Sequence, residues 1–172
     1  MKKRTGIIAA LLLAPLAMVS VPAQGGQAEL DLLTSYVGDW RGEGALVGGD
    51  RNEPFRCRLT VSKGNQLRIN YAGRCSLVNA NLSISGTIAY NDNAKQYEAA
   101  MSSNAGFTGI AIGTENGGRI SFDLRERQKD QGGSDVRIGS RILLVNNKIT
   151  VDFEVEFNNS GEVLKASVPF NQ

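Results

Sequence analysis

Apolar and polar side chains alternate along most of this chain, and that alternation restricts its possible folds more than any other feature. The clearest example is residues 149–157, where five apolar residues alternate with polar residues that include Asp152, Glu154 and Glu156. A period of two is typical of a strand with one buried face and one face in water. Similar segments recur from Trp40 to Phe170, separated by short polar turns. Because such turns join antiparallel neighbours, the spacing predicts an antiparallel meander.

Counting these segments predicts an all-β fold, an antiparallel up-and-down (meander) β-barrel of about ten strands. Closing the meander into a barrel removes the sheet edges that would otherwise promote aggregation. A short helix is expected before the barrel, over residues 28–37, because Leu30, Leu33 and Tyr36 recur near the helical period. No repeat, low-complexity tract or linker interrupts the strands, so one domain is expected over residues 24–172.

The first residues have the composition of an export signal. Lys2, Lys3 and Arg4 precede an apolar run over residues 7–21 and a small-residue cleavage motif that ends at Ala23. We therefore predict a signal peptide over residues 1–23 and a periplasmic or secreted protein. The apolar run is short for a membrane span, and Pro15 interrupts it. No integral span is expected after cleavage.

The net charge of the chain depends on this leader. Without residues 1–23, sixteen basic and seventeen acidic residues remain, a net charge of −1. We therefore expect no basic patch and no nucleic acid partner, since binding to a phosphate backbone requires several clustered cations.

Cys57 and Cys75 are the only cysteines in the chain. Their strands, residues 55–61 and 67–75, are joined by a short polar turn and form a predicted hairpin, in which both cysteines face the same side. They would lie directly opposite each other or one diagonal apart, within reach of a bridge. In an oxidising compartment this predicts a disulfide. Closing a loop of this length is worth about 3 kcal/mol in the chain-entropy model.

The chain opens its first strand with the sequence of residues 36–44, Tyr-Val-Gly-Asp-Trp-Arg-Gly-Glu-Gly. This segment resembles the opening of the calycin group, the small barrels that include lipocalins and fatty-acid-binding proteins. It is similar to the Gly-x-Trp motif of lipocalins, and closer to the Gly-Thr-Trp-Arg-Gly-Glu-Gly opening of nitrobindin-like ten-stranded barrels. The resemblance implies that Trp40 is a structural plug at the closed end. Gly42 and Gly44 fit a strand that bends or admits a close backbone approach.

The nitrobindin-like opening also implies haem. The chain contains no histidine, so the haem ligand of that family has no counterpart. We therefore expect no cofactor.

Enzymatic sites are also hard to build from these residues. Without histidine, Ser-His-Asp and Cys-His arrangements are excluded, and zinc loses its usual nitrogen ligand. Asp152, Glu154 and Glu156 share one strand face, but their alternation with apolar residues favours a solvated outer surface. We expect no catalytic residue and no metal site.

Inward-facing residues of the predicted strands form the candidate ligand site. Their mixture of apolar side chains and phenols is typical of pockets for small hydrophobic ligands. The candidate ligand-binding residues are Tyr71, Tyr90, Tyr97, Met101, Phe107, Phe122 and Phe153. Ten strands enclose more space than eight, and Gly86, Gly109, Gly113 and Gly139 are expected to leave room inside. A filled interior is the alternative.

The sequence thus favours an exported, non-catalytic, lipocalin-like barrel that binds a small hydrophobic or amphipathic molecule. The alternative is a periplasmic macromolecule-binding protein such as a protease inhibitor. Small bacterial metalloprotease inhibitors are lipocalin-like barrels with a Gly-x-Trp opening followed by a disulfide, and Trp40, Cys57 and Cys75 resemble that order. Those barrels are shorter, however, and the segment before Trp40 is too helical for an obvious inhibitory arm.

Overall fold

A computed structural model describes residues 26–49, 52–78, 80–129 and 132–172. The signal peptide expected over residues 1–23 lies outside these ranges. The described residues form one helix and ten strands. In chain order they are α1 Gln27–Thr34, β1 Gly38–Leu46, β2 Glu53–Lys63, β3 Arg68–Ser76, β4 Asn81–Asn91, β5 Gln96–Ser103, β6 Thr108–Asn116, β7 Arg119–Lys129, β8 Asp135–Val145, β9 Lys148–Phe157 and β10 Val163–Asn171.

The strands form a closed antiparallel barrel in which each strand pairs with the next and β10 pairs with β1. The predicted meander barrel is therefore confirmed. The turn between β8 and β9 shows how local chemistry helps to set this order. Asn146 and Asn147 both have positive φ, 50° and 55°, which is the backbone conformation of a tight hairpin turn that asparagine tolerates.

The helix ends earlier than expected, at Thr34 rather than at residue 37. Two hydroxyls compete for its last carbonyls. Thr34 Oγ1 donates to Asp31 O at 3.1 Å, and Ser35 Oγ donates to Leu32 O at 2.6 Å. The chain then tightens, because Tyr36 N donates to Leu33 O only three residues back. This turn leads directly into β1, which begins at Gly38.

Helix α1 covers one end of the barrel, which we call the closed end. Trp40 is buried there, with 1% of its surface exposed, and its Nε1 donates to Tyr36 O at 3.0 Å. The Tyr36 and Trp40 rings lie 6.4 Å apart. The indole is thus packed on its faces and hydrogen bonded at its single polar atom, as a buried tryptophan requires.

Gly42 and Gly44 let β1 and β10 approach each other closely. A Cβ at Gly42 would lie 2.6 Å from Val168 Cγ1 and 2.9 Å from Pro169 O, and one at Gly44 would lie 2.9 Å from Ser167 O. Any larger residue would push the two strands apart at the position where the barrel closes.

The predicted disulfide joins neighbouring strands. Cys57 and Cys75 lie directly opposite each other on β2 and β3 and are bonded, with a Cα–Cα distance of 4.0 Å. The bond fixes the register of the β2–β3 ladder.

Replacing Trp40 with Ala tests the role of the indole. The substitution leaves a large cavity at the closed end, so the free energy of unfolding should fall by about 3–5 kcal/mol in denaturant melts. Trp40→Phe keeps an aromatic ring but removes the donor to Tyr36 O, and should cost clearly less than Trp40→Ala. A loss below about 1 kcal/mol for Trp40→Ala would show that the indole does not support the core.

Candidate functional site

The middle of the barrel contains a small apolar void of about 20 Å³. A space of this size holds about one water molecule. Three of the predicted ligand-binding residues, Tyr71, Met101 and Phe122, line it. The other lining residues are Ala99, Gly109, Ala111, Leu124, Ser140 and Ile142. A larger ligand can therefore enter only if a lining side chain moves.

The other four predicted residues lie away from this void. Tyr90 and Tyr97 are buried near the closed end, with ring centroids 5.1 Å apart. Phe107 and Phe153 lie 6.3 Å apart and are half-buried. They pack against a second apolar cluster at the opposite end, built on Val136, Ile138 and Val155. The predicted set thus forms three separate groups along the barrel.

The expectation that strand glycines leave room inside is wrong. A Cβ at Gly86 would lie 2.5 Å from Tyr71 Oη, and one at Gly109 would lie 2.4 Å from a Leu124 methyl. At Gly113 it would lie 2.4 Å from the Phe122 ring. Large side chains of other strands already occupy the space that each glycine vacates. Gly139 lies on the outer face, out of phase with its buried neighbour Ile138.

Tyr71 and Ser140 are the two hydroxyl-bearing residues that line the void. Tyr71 Oη donates to Ala100 O at 3.0 Å, and burial raises the pKa of this phenol to about 12. Burial also raises the pKa of Tyr97. Since the Tyr71 proton is already engaged, a ligand in the void meets a hydroxyl that can accept but is not free to donate.

The barrel wall beside the void is incomplete. The ladder between β6 and β7 has four residue pairs, from Gly113 with Phe122 to Asn116 with Arg119, whereas β7 and β8 share ten. Among the described residues, no ladder pair joins residues 108–112 to β7. We call the region between residues 108–112 of β6 and residues 123–127 of β7, where no ladder pair joins the strands, the lateral opening.

One side chain bridges the far end of the lateral opening. Thr108 N donates to Gln128 Oε1 at 3.3 Å, and Gln128 Nε2 donates to Thr108 O. The amide of Gln128 thus makes the two hydrogen bonds that a backbone ladder pair would make at this position. Ladder pairs join the two strands at one end of the opening, and the Gln128 amide joins them at the other.

Apolar residues lie on both sides of the lateral opening. Gly109, Ala111 and Leu124 line the void on the inside. On the outside, Ile110 and Ile112 are 68% and 48% exposed. The two isoleucines form a small exposed apolar patch beside the part of the wall that has no ladder pairs.

A second cavity, of about 820 Å³, lies on the outer face of the barrel over β7–β10. Outward-facing charged residues that line this cavity form ion pairs between neighbouring strands. Arg141 pairs with Asp123 at 2.6 Å, Lys165 pairs with Glu154 at 3.0 Å, and Arg137 pairs with Glu156. Asp152 accepts from Ser167 Oγ at 2.6 Å. The three carboxylates of β9 are thus used in cross-strand pairs.

The fold also assembles a cluster that the sequence interpretation missed. On the outer face, Arg41 lies opposite Arg58, and Arg58 lies opposite Arg74. The net charge of the chain could not reveal this cluster, because strand pairing brings together arginines that lie far apart in the sequence. The disulfide could have revealed one of these pairs, since placing Cys57 opposite Cys75 places Arg58 opposite Arg74.

Haem does not fit this interior. The chain has no histidine to ligate the iron. The apolar void is about 20 Å³, and the nearest phenol, Tyr71, already donates to Ala100 O. Neither this void nor Tyr71 suits the haem that the resemblance of residues 36–44 implied.

The titration of Tyr71 gives a test of its burial. Its pKa is raised from 10, so its protonated form stabilises the folded state. That stability is fully present below pH 10, and it should be lost as the pH rises from 10 to about 12, where only the unfolded state ionises. Over this window wild type should lose up to about 1.4 kcal/mol per pH unit more than Tyr71→Phe. Identical pH profiles in denaturant melts would contradict the burial.

The only helix of the described residues, α1, is too short to cross a bilayer. No protein-family model matches the sequence, and no curated protein matches it.

Solved structures match the fold. A crystal structure of Rv2717c from M. tuberculosis is similar with a TM-score of 0.65 and 13% identity, over 83% of this chain and 96% of that chain. The S-type phycobiliprotein lyase CPES from Guillardia theta is similar with a TM-score of 0.54 and 13% identity, over 85% of this chain and 93% of that chain. At these identities the likeness concerns the fold alone, a closed antiparallel barrel that fits the lipocalin-like barrel expected from the sequence.

Proposed function

We propose that this protein is a non-catalytic carrier of a small hydrophobic or amphipathic molecule, whose apolar end enters the barrel at the lateral opening. The observation that carries the proposal is the position of the apolar void directly behind the unpaired part of the β6–β7 wall. Gly109, Ala111 and Leu124 belong both to that wall and to the lining of the void.

Entry requires a side chain to yield, and two of the lining residues can do so. Leu124 lies at the inner mouth of the lateral opening, against the space of Gly109. Met101 is half-buried beside the void, and its unbranched thioether adapts to irregular spaces. When both change rotamer, the void extends toward the surface. An apolar chain then replaces the contacts that Leu124 made.

The polar end of the ligand stays outside the wall. Gln128 and Thr108 lie at the rim of the lateral opening, where Thr108 is exposed and the Gln128 amide is hydrogen bonded to the Thr108 backbone. Ile110 and Ile112 on the outer face cover the part of the ligand that crosses the wall. This division of apolar and polar contacts suits an amphipathic molecule better than a fully apolar one.

Export to the periplasm or the cell exterior is part of the proposal. The disulfide between Cys57 and Cys75 supports it, because such bonds persist in oxidising compartments. The absence of histidine supports a non-catalytic role, since it removes the commonest general base from the chain.

The geometry gives less support to a protease inhibitor. An inhibitor of that kind needs an exposed, extended arm before the barrel. The described part of this segment instead forms α1, with Gly26 and Leu33 buried against the closed end.

Enlarging the void at its mouth tests the carrier function. Leu124→Ala joins the space of the lost side chain to the void, so decanoic acid should bind several-fold more tightly than to wild type. The matched control is Leu59→Ala, since Leu59 and Leu124 are 6% and 8% exposed and only Leu124 lines the void. Each variant should lose about 2–5 kcal/mol of stability.

Thermal melts with increasing decanoic acid measure the effect, because a ligand that binds only the folded state raises the midpoint. The midpoint of Leu124→Ala should rise most and that of Leu59→Ala should follow wild type. Equal responses of the two variants, or no response in any of the three proteins, would contradict entry at the lateral opening.

A further inference from the structure

One outer face of the barrel carries three arginines in a single line across the strands. Arg41 on β1, Arg58 on β2 and Arg74 on β3 are direct cross-strand neighbours. Adjacent strands lie about 4.8 Å apart, and all three side chains are exposed. We call these residues the arginine row. Among the ion pairs of the described residues, none includes a member of this row.

Neither of the two carboxylates on β1 forms an ion pair with a member of the row. Glu43 pairs with Arg56 at 3.0 Å, and Asp39 accepts from Thr60 Oγ1 at 2.7 Å. Like charges directly opposite each other destabilise a sheet. The next cross-strand pair on the same face, Thr60 with Ala72, carries no charge.

A disulfide bond joins the two strands that carry Arg58 and Arg74. Arg58 follows Cys57 and Arg74 precedes Cys75, so the disulfide lies next to this pair on the opposite face of the sheet. The disulfide fixes the register of β2 and β3. In this register Arg58 and Arg74 stay opposite each other even though their guanidinium groups repel. The arrangement keeps two positive charges adjacent on a stiff surface.

We propose that the arginine row is a docking surface for a membrane that carries anionic phospholipids. Guanidinium groups bind phosphate oxygens through paired hydrogen bonds. The row lies on the outward-curving wall of the barrel and not in either of the cavities described above, so it faces an extended array of phosphates rather than one enclosed ion.

The exposed apolar residues favour a membrane over a nucleic acid. Val78, in the turn after β3, is 72% exposed and lies four residues beyond Arg74, where it can enter the interfacial region of a bilayer. No aromatic residue is among the exposed large hydrophobic residues of the described chain. Single-stranded nucleic acids require such aromatic stacking platforms. This inference does not depend on the ligand of the barrel interior.

Vesicle sedimentation tests the proposal. The full chain is expressed in a bacterial host and the purified product is mixed with vesicles of phosphatidylcholine, with and without phosphatidylglycerol. Each arginine near an anionic surface contributes about a fivefold gain in affinity. The triple variant Arg41→Gln, Arg58→Gln, Arg74→Gln should therefore bind the anionic vesicles about 100-fold more weakly than wild type. Raising the salt concentration should weaken the binding of wild type.

The control is a triple variant with the same change in net charge at other positions. Lys63, Arg119 and Lys148 are exposed, lie outside both the row and the lateral opening, and form none of the ion pairs given above. Replacing these three with Gln should change vesicle binding only slightly. Thermal melts should show that the row variant is at least as stable as wild type, because the repulsion is relieved. If the row variant does not fold, Arg58→Gln alone should weaken binding about fivefold.

Several results would overturn the proposal. One is binding that does not depend on phosphatidylglycerol, and another is an equal loss of binding in the two triple variants. A third is binding of the row to inorganic phosphate or to an oligonucleotide without binding to the anionic vesicles.

Discussion

The close approach of β1 and β10 is the constraint on which the rest of this structure depends. The ladder between them has only two residue pairs, Arg41 with Asn171 and Gly42 with Phe170, and one isolated bridge joins Val47 to Lys165. Between these points the backbones touch because Gly42 and Gly44 have no side chains. If the strands separated here, the meander would become an open sheet with two unpaired edges. Closure buries the inner face and gives the barrel an inside and an outside.

The wall between β6 and β7 is a second place where the ladder is short, with four residue pairs. It differs from the junction of β1 and β10. At β1–β10 the backbones are in contact and the barrel is sealed. At β6–β7 the strands pair near the closed end, and the amide of Gln128 joins them at the far end. The apolar void, the exposed Ile110 and the buried Leu124 all lie at this one place. Under the proposed function, an apolar chain enters the filled barrel here without breaking a ladder pair of the described strands.

Sequence reasoning predicted the strands, their order and the disulfide, because each depends on local information. Alternation over residues 149–157 marks a strand, and Asn146-Asn147 marks its turn. The length of the β6–β7 ladder could not be predicted, since it depends on how far two strands diverge once the barrel has closed. The spaces at Gly109 and Gly113 were misjudged for the same reason, because Leu124 and Phe122 reach them from β7. The arginine row required the register of three strands, of which the cysteines supply only one pairing.

Entry of an apolar chain at the lateral opening is the central claim, and intermolecular nuclear Overhauser effects test it most directly. Protein with labelled methyl groups is mixed with decanoic acid, and contacts between the alkyl chain and protein methyls are recorded. We predict contacts to Leu124, Met101 and Ala111, which line the void, and to Ile110 at the outer mouth. Contacts confined to the outer surface, or to the apolar cluster around Val136 and Val155, with none to Leu124 at saturating decanoic acid, would contradict the claim.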